Sequence, residues 1–233
     1  MRRLRRLSER RAVRQKHAAF SRIDSHRHLS GYGTLVLGGG YREAGESGRW
    51  RLEPGMVVVH AAGEAHADWF GDRATDLIDF DVPFALAAGV YQCSDADSLV
   101  NALLSRRMWS GVTTLTLLPG ETDWPDLLAS DMRRDPTLSI GRWAAGHGLR
   151  AETVSRGFSQ AYGVSPKRYR LGLRISGAVR LLSSGDQPLA EVAFANGFAD
   201  QPHMSRAVKA ATGSTPAQLR RVKSVQEESL RFV

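Results

Sequence analysis

The chain has 233 residues, 42% of them hydrophobic and 24% charged, which is typical of a globular protein and argues against a disordered or fibrous one. Its length favours two compact domains. A single cysteine, Cys93, excludes an internal disulfide, and no apolar run approaches the roughly 20 residues that span a bilayer. The arginine-rich start is not followed by an apolar segment, so we expect no secretory signal and a cytoplasmic protein.

The net charge of +8 is unevenly distributed along the chain. Residues 1–16 carry a net charge of +7, residues 17–135 carry −7, and residues 136–233 carry +8. Basic ends joined to an acidic middle indicate that a basic part of the protein binds a polyanion and that the acidic part does not. Two solvated surfaces of different pI would give the same pattern.

Residues 21–92 have the pattern of short strands broken by turns. Apolar and polar residues alternate, glycine and proline punctuate the segments, and no helical period is present. Examples are the strand-like run 31–37 before the glycines at 38–40, and the run 56–59 after Pro54 and Gly55. This pattern predicts an antiparallel sandwich or barrel.

The apolar spacing becomes helical from about residue 96, with Leu99, Leu103 and Leu104 forming one stripe. This stripe could be a dimer seam or could pack on the β domain, and we favour packing within the chain. We therefore predict an α+β, multidomain protein with these parts: a flexible basic arm at 1–20, a β domain at 21–92, a helical connector at 93–135, an all-α domain at 136–225 and a tail at 226–233.

The C-terminal part contains an internal repeat. Residues 144–149 (AAGHGL) align with residues 193–198 (AFANGF), and after one inserted residue five identities follow at a spacing of 50. The identical pairs are Ser155 and Ser205, Arg156 and Arg206, Ala161 and Ala211, Gly163 and Gly213, and Pro166 and Pro216. The chain therefore makes the same supersecondary unit twice.

Each repeat has an apolar helix, a glycine followed by a large apolar residue, and a polar stretch that opens a second helix. Gly148 and Gly197 suit a left-handed position at the end of the first helix. This pattern predicts a helix-turn-helix, whose second helix enters the major groove of DNA. A solenoid is the alternative, but two copies are too few to cap and stack one. Residues 166–182 are predicted as one long helix that bridges the units.

Residues 138–169 (LSIGRWAAGHGLRAETVSRGFSQAYGVSPKRY) and 189–216 (LAEVAFANGFADQPHMSRAVKAATGSTP) resemble the two halves of the DNA-binding domain of AraC/XylS-family transcriptional regulators. Val208 and Leu219 stand where the family commonly has phenylalanine and tyrosine. The resemblance implies two helix-turn-helix motifs, regulation of transcription without enzymatic activity, and double-stranded promoter DNA as the partner. RNA polymerase is a further candidate partner, the expected location is the nucleoid, and the chain is expected to be a monomer or a homodimer.

The positions that match the base-reading positions of this family lie on one face of each second helix: Glu152, Ser155 and Arg156 on the first, and Gln201, Ser205 and Arg206 on the second. The alternative for Arg156 and Arg206 is an ion pair within the helix. Basic residues expected to contact phosphates are Arg150, Lys167, Arg168, Arg174 and Arg220. Asp200 before Gln201 and Pro202 has the pattern of a helix N-cap.

Residues 55–66 (GMVVVHAAGEAH) are similar to the second cupin motif, and the sensing domain of AraC-type regulators is often cupin-like. His26 and His28 match part of the first cupin motif, but its glutamate is missing. Three histidines and a carboxylate could bind Zn, Fe or Mn; without that glutamate we predict no metal and no cofactor. The candidate pocket for a small-molecule effector is lined by His26, His28, Tyr41, Glu43, Trp50, His60 and His66.

Two alternatives remain open at the level of the sequence. The first is a metal-dependent cupin enzyme fused to a DNA-binding module. The second is a constitutive DNA-binding protein whose β domain only dimerises.

Overall fold

The computed structural model describes residues 12–82, 86–105, 113–120 and 122–221. The strands within these ranges are β1 Val13–His17, β2 Arg22–Arg27, β3 Tyr32–Gly38, β4 Tyr41–Gly45, β5 Arg49–Leu52, β6 Met56–His60, β7 Ala65–Phe70, β8 Thr75–Phe80, β9 Gly89–Cys93 and β10 Leu115–Leu117. The helices are α1 Ala96–Leu104, α2 Trp124–Arg134, α3 Ile140–Gly146, α4 Ala151–Tyr162, α5 Pro166–Ser184, α6 Leu189–Ala195 and α7 Gln201–Thr212.

The strands form two sheets in which neighbouring strands are antiparallel, as the sequence predicts. The larger sheet has the order β1-β8-β3-β6-β9-β10, and the smaller has the order β2-β7-β4-β5. One apolar core joins residues of both sheets, such as Val58 and Leu77 from the larger and Leu52 and Phe70 from the smaller. The β domain is therefore a sandwich of two sheets whose facing side chains are buried.

The helix α1 covers part of the larger sheet. Leu99 and Leu103 are buried in a core with sheet residues such as Leu35 and Phe80, which confirms the prediction that the stripe packs within the chain. Leu104, the third member of the stripe, is 55% exposed. The stripe is thus mainly internal.

Two predicted boundaries need correction. The arm predicted at 1–20 includes β1, which pairs with β8 along its whole length; only Val13 of its five residues is apolar, so the strand leaves no alternating pattern in the sequence. The connector predicted as helical at 93–135 also contains β10, which extends the larger sheet beside β9. Residues 1–11 and the predicted tail at 226–233 lie outside the described residues.

The helical domain is held by two apolar cores. The first includes Trp143, Val154 and Phe158 from α3 and α4, together with residues of α2 and Ala44 of β4. The second is built by α5, α6 and α7. The helix α5 runs through both cores as the predicted bridge, because Tyr169 belongs to the first core and Val179 to the second.

Candidate nucleic-acid interface and interior site

Each helix pair closes with the same turn. Gly148 and Gly197 have φ values of 67° and 69°, which is the left-handed conformation predicted for both. The amide of the residue after each glycine donates to the carbonyl five residues before it, at 2.9 Å in the first turn and 3.0 Å in the second. His147 and Asn196 each bond through the side chain to the carbonyl four residues back, at 2.8 Å in both. The repeated sequence therefore forms a repeated structure.

The helix α4, which is the second helix of the first repeat, has one buried stripe and one exposed face. The buried stripe consists of Val154, Phe158 and Tyr162. The three predicted base-reading residues, Glu152, Ser155 and Arg156, are all exposed. Among the described residues, Arg156 has no hydrogen bond or ion pair, so the alternative of an ion pair within the helix is not found there.

The helix α7, which is the second helix of the second repeat, has the same division into a buried stripe and an exposed face. Asp200 caps its start by accepting a hydrogen bond from the amide of His203 at 2.6 Å, and proline lies in the first turn, as predicted. Gln201 and Arg206 are exposed and Ser205 is half-buried, while the buried stripe is Met204, Val208 and Thr212. Arg206 also makes no hydrogen bond or ion pair within the part of the chain that is described.

The residues predicted to contact phosphates fall into two groups. Arg150, Lys167 and Arg168 are exposed with their charges in solvent. Arg174 and Arg220 are half-buried, and they donate to the backbone carbonyls of Pro136 and Gln187 respectively. The last two side chains thus join segments of the helical domain, and a phosphate contact would compete with those bonds. A role in DNA binding remains a prediction for all five.

The predicted effector-pocket histidines do come together, inside the β domain. His60 and His66 are buried with ring centroids 4.2 Å apart, and His26 lies 4.3 Å from His66 and 4.9 Å from His28. Glu43 is buried beside them, with its Oε2 atom 3.6 Å from His60 Nε2. The five residues form one interior cluster: His26 lies on β2, Glu43 on β4, His60 on β6 and His66 on β7, and His28 directly follows β2.

Burial decides the charge state of this cluster. Burial lowers the pKa of His60 to about 3 and that of His28 to about 4, so both imidazoles are neutral at pH 7. Burial, with the nearby charge of Asp68, raises the pKa of Glu43 well above its usual range. Asp68 itself, which lies opposite Glu43 in the β4–β7 register, has its pKa raised to about 8 by burial and by Asp79.

Tyr41 and Trp50 are placed differently from the histidines. The Tyr41 hydroxyl donates to Glu43 Oε2 at 3.4 Å, while its ring packs on Phe70 in the core between the sheets. Trp50 pairs with Glu43 across β4 and β5, but its ring lines a cavity of about 280 Å³ whose lining contains none of the histidines. Trp50 is therefore set apart from the other candidate pocket residues.

The sequence reasoning missed the polar contacts that join the β domain to the helical domain. Arg27 of β2 forms an ion pair with Glu46 at 3.2 Å, and both side chains are at most 9% exposed. Ser176 of α5 accepts from Arg27, and its hydroxyl oxygen lies 2.6 Å from the Glu46 carboxylate and 2.7 Å from the carbonyl of Gly63, which share its single proton. We call Arg27, Glu46 and Ser176 the interdomain clamp. No local pattern could have identified it, because its members are separated by up to 149 residues.

A second polar junction holds α2 and α4 to the β domain. Arg49 of β5 bonds to Asp126 at 2.8 Å and to Asp123 at 2.5 Å, and the Tyr162 hydroxyl donates to Asp126 at 2.8 Å. These bonds raise the pKa of Arg49, because they stabilise its charged form. They also outweigh the effect of burial on Asp126, whose pKa is lowered.

None of the helices that the structure describes combines the length and the apolar character needed to span a lipid bilayer.

Comparison with known proteins gives a consistent result. Residues 143–222 match a protein family described as a helix-turn-helix domain. The transcriptional activator NphR of Rhodococcus sp is 27% identical over 175 residues, which are 72% of this chain and 52% of NphR. The arabinose operon regulatory protein of Escherichia coli (strain K12) is 36% identical over 158 residues, which are 67% of this chain and 53% of that protein. The chain spans about half the length of these two curated relatives.

Among solved structures, unsaturated fatty acid-bound ToxT from Vibrio cholerae strain SCE256 is similar with a TM-score of 0.44 and 10% identity. The match covers 90% of this chain and 95% of ToxT. This likeness is too distant to add to the comparison of sequences.

Proposed function

Because the chain belongs to the AraC/XylS family of transcriptional regulators, we propose that it binds promoter DNA at specific sequences and regulates transcription in response to an effector. The observation that carries this proposal is the duplicated helix-turn-helix unit, which has at the same position of each second helix an exposed arginine without an ion pair among the described residues. These arginines are Arg156 and Arg206.

Each of these arginines has the chemistry to read a guanine, since a guanidinium donates two hydrogen bonds to the guanine edge in the major groove. Gln201 can pair with adenine in the same way, and Glu152 can accept from cytosine. Exposed Lys167 and Arg168 at the start of α5 add an electrostatic attraction to phosphates that does not depend on sequence. The mechanism is therefore base reading by α4 and α7 on a basic helical domain.

We propose that the β domain senses the effector and that the interdomain clamp transmits its binding. His26 of β2 and His28, the residue directly after that strand, lie on either side of Arg27, and both histidine rings belong to the interior cluster while Arg27 contacts α5. A shift of β2 on effector binding would move Arg27 against Ser176 and thus change how α5 presents the two units. An effector that favours one arrangement shifts the population towards it.

Enzymatic activity is not part of this proposal. Glu43, His60 and His66 are at most 3% exposed, so a substrate could reach them only if the β domain opened. RNA polymerase remains a candidate partner, and both a monomer and a homodimer are compatible with the two units.

The proposal is tested by selecting bound sequences from random double-stranded DNA with the purified full chain, followed by titrations on the selected site. Arg206→Ala should relax specificity at one base position, with a loss of about 1–3 kcal/mol on the selected site and little change on random DNA. Lys167→Ala should weaken binding to both DNAs alike and reduce the salt dependence.

Lys209→Ala, on the same helix as Arg206 but near its C-terminal end, is the matched control and should keep the base preference. Equal losses for Arg206→Ala on selected and random DNA would contradict base reading by α7. Failure to enrich any sequence would contradict the proposed function as a whole.

A further inference from the structure

Three metal-ligating side chains meet inside the β domain. Glu43 of β4, His60 at the end of β6 and His66 of β7 each bring one donor atom within 4.8 Å of the other two. Glu43 and His66 belong to the smaller sheet and His60 to the larger, so an atom bound between them would join the two sheets. All three side chains are buried.

The hydrogen bonds of these side chains are incomplete. Within the described part of the chain, Glu43 Oε1, His60 Nδ1 and His66 Nδ1 are buried and have no hydrogen-bond partner. Buried polar atoms are normally paired, and a buried carboxylate needs a counter-charge or a proton. Asp68 lies opposite Glu43 in the register and adds a further buried carboxyl group. A cation bound among these side chains would supply the counter-charge.

The size and the chemistry of the space indicate which cation. The rings of His60 and His66 stack at 4.2 Å, so an organic molecule cannot enter between them, whereas a single ion needs only small shifts of the side chains. Two imidazoles and one carboxylate are a donor set that Zn²⁺ and related transition metals accept, and that Ca²⁺ and Mg²⁺, which prefer oxygen, do not favour.

Neighbouring hydroxyl groups orient two of the three ligands. The Tyr32 hydroxyl lies 3.2 Å from His66 Nε2, and the Tyr41 hydroxyl donates to Glu43 Oε2 at 3.4 Å. Such outer contacts fix the ring orientation of a ligating histidine and the position of a ligating carboxylate. Since the other nitrogen of His66 is the unpartnered Nδ1, this contact leaves that nitrogen free for a metal.

We propose that Glu43, His60 and His66 bind one divalent transition-metal ion of the Zn²⁺ class. The carboxylate that the sequence lacks after His28 is supplied by Glu43 from a different strand, so this proposal replaces the expectation of no metal. Metal binding here does not depend on the proposed regulatory function.

A second trio, His26, His28 and His66, also has donor atoms within 4.8 Å of one another. It contains no carboxylate, His26 and His28 are only half-buried, and His26 Nδ1 is already engaged with the Asp24 carbonyl at 3.1 Å. We favour the inner site because all three of its side chains are buried and one of them is a carboxyl group.

The experiment uses the untagged full chain, stripped of metal with a chelator and titrated with Co²⁺, whose visible absorption reports coordination, and then with Zn²⁺ in competition. We expect one ion per chain and a higher melting temperature in the presence of metal. Glu43→Gln and His60→Gln should each weaken binding by about 100-fold or more. His203→Gln, on exposed α7, is the matched control and should bind like the parent chain.

Folding of the variants is checked by circular dichroism without metal. Glu43→Gln keeps the shape of the side chain and replaces a buried carboxyl group, which is costly when ionised, with a neutral amide, so its metal-free melting temperature should equal or exceed that of the parent chain. Less than one ion per chain, or binding that survives Glu43→Gln and is lost in His26→Gln, would overturn the proposal. An equal loss in His203→Gln would overturn it too, because it would indicate adventitious surface binding. Selection of DNA sequences by the metal-free chain tests the proposed function separately.

Discussion

The first helix-turn-helix unit, α3 with α4, and the second, α6 with α7, close their turns with the same bonds, but they are supported differently. The buried residues of the first unit share a core with Leu128, Ala129 and Met132 of α2 and with Ala44 of the β domain. The core of the second unit consists of residues from α5, α6, α7 and the following segment, with Leu29 of the β domain only at its margin. The first unit therefore shares its core with the β domain and α2, whereas the second unit packs mainly on α5.

Direct contacts strengthen this difference. A Cβ atom at Gly157 of α4 would overlap the Trp124 ring, and one at Gly163 would lie 2.9 Å from the Trp69 ring, so the first unit packs closely on both α2 and the β domain. The second unit instead faces the β domain across a cavity of about 370 Å³, lined on its side by Ala207, Ala210 and Ala211. The comparison indicates that the first unit moves with the β domain and that the second can adjust separately.

The largest expected loss of stability follows from a substitution in the core of the first unit. Phe158→Ala removes a fully buried ring from the core that α4 shares with α2 and β4, and should reduce the free energy of unfolding by about 3–5 kcal/mol. Because that core is shared, hydrogen exchange should become faster in α2 and β4 as well as in α4. Faster exchange confined to α3 and α4 would show that the first unit is as independent as the second.

Met204→Ala makes the corresponding change in the second unit. It removes a fully buried side chain. It should lower the free energy of local opening in α6 and α7, measured by hydrogen exchange, by about 2–5 kcal/mol. The β strands should keep their protection, since the second core has only a marginal contact with them. Loss of protection in β4 would contradict the proposed difference between the units.

Local features of this molecule are encoded within a few residues and could be predicted. The left-handed glycines, the cap at Asp200 and the long helix α5 each depend on near neighbours in the chain, and all three are found. The edge strands β1 and β10 were not predicted, because their pairing with β8 and β9 depends on partners that are distant in the sequence, as Val13 and Asp79 are. Strand pairing of this kind leaves only a weak local pattern.

The interior site was predicted only in part, for the same reason. The residue types at Glu43, His60 and His66 indicated a pocket, but their mutual approach depends on how the two sheets face each other. Asp68 could have been identified, because it lies two positions after His66 on the same side of β7. The interdomain clamp could not, because Ser176 has an ordinary position in a helix whose neighbours the sequence does not specify.

A smaller effect tests the link between the β domain and α5. Ser176→Ala removes the hydroxyl that bonds to Arg27, Glu46 and the carbonyl of Gly63. It should lower the free energy of unfolding, measured by denaturant titration, by about 1–3 kcal/mol. Ser184→Ala is the matched control, because Ser184 lies on the same helix and bonds only to the carbonyl four residues back, at 2.8 Å.

The Ser184 variant should stay within about 0.5 kcal/mol of the parent chain. If Ser176→Ala behaves in the same way, the clamp does not contribute measurably to holding α5 against the β domain.

The smallest expected effect compares the two turns directly. Gly148→Ala and Gly197→Ala each place a Cβ atom on a residue with φ near 70°, which should cost about 1–2 kcal/mol of stability in each case. At Gly148 the new methyl group meets nothing within 4 Å, and at Gly197 it lies 3.4 Å from Arg174 Nε, an ordinary contact, so the backbone conformation dominates both costs.

Gly141→Ala within α3 is the control and should instead stabilise the helix by about 0.5–1 kcal/mol. Since the turns have the same bonds, the two costs should agree within about 0.5 kcal/mol in denaturant titrations. A clearly larger cost at Gly197 would show that the surroundings of the second unit, and not the repeated turn alone, decide how well it tolerates strain.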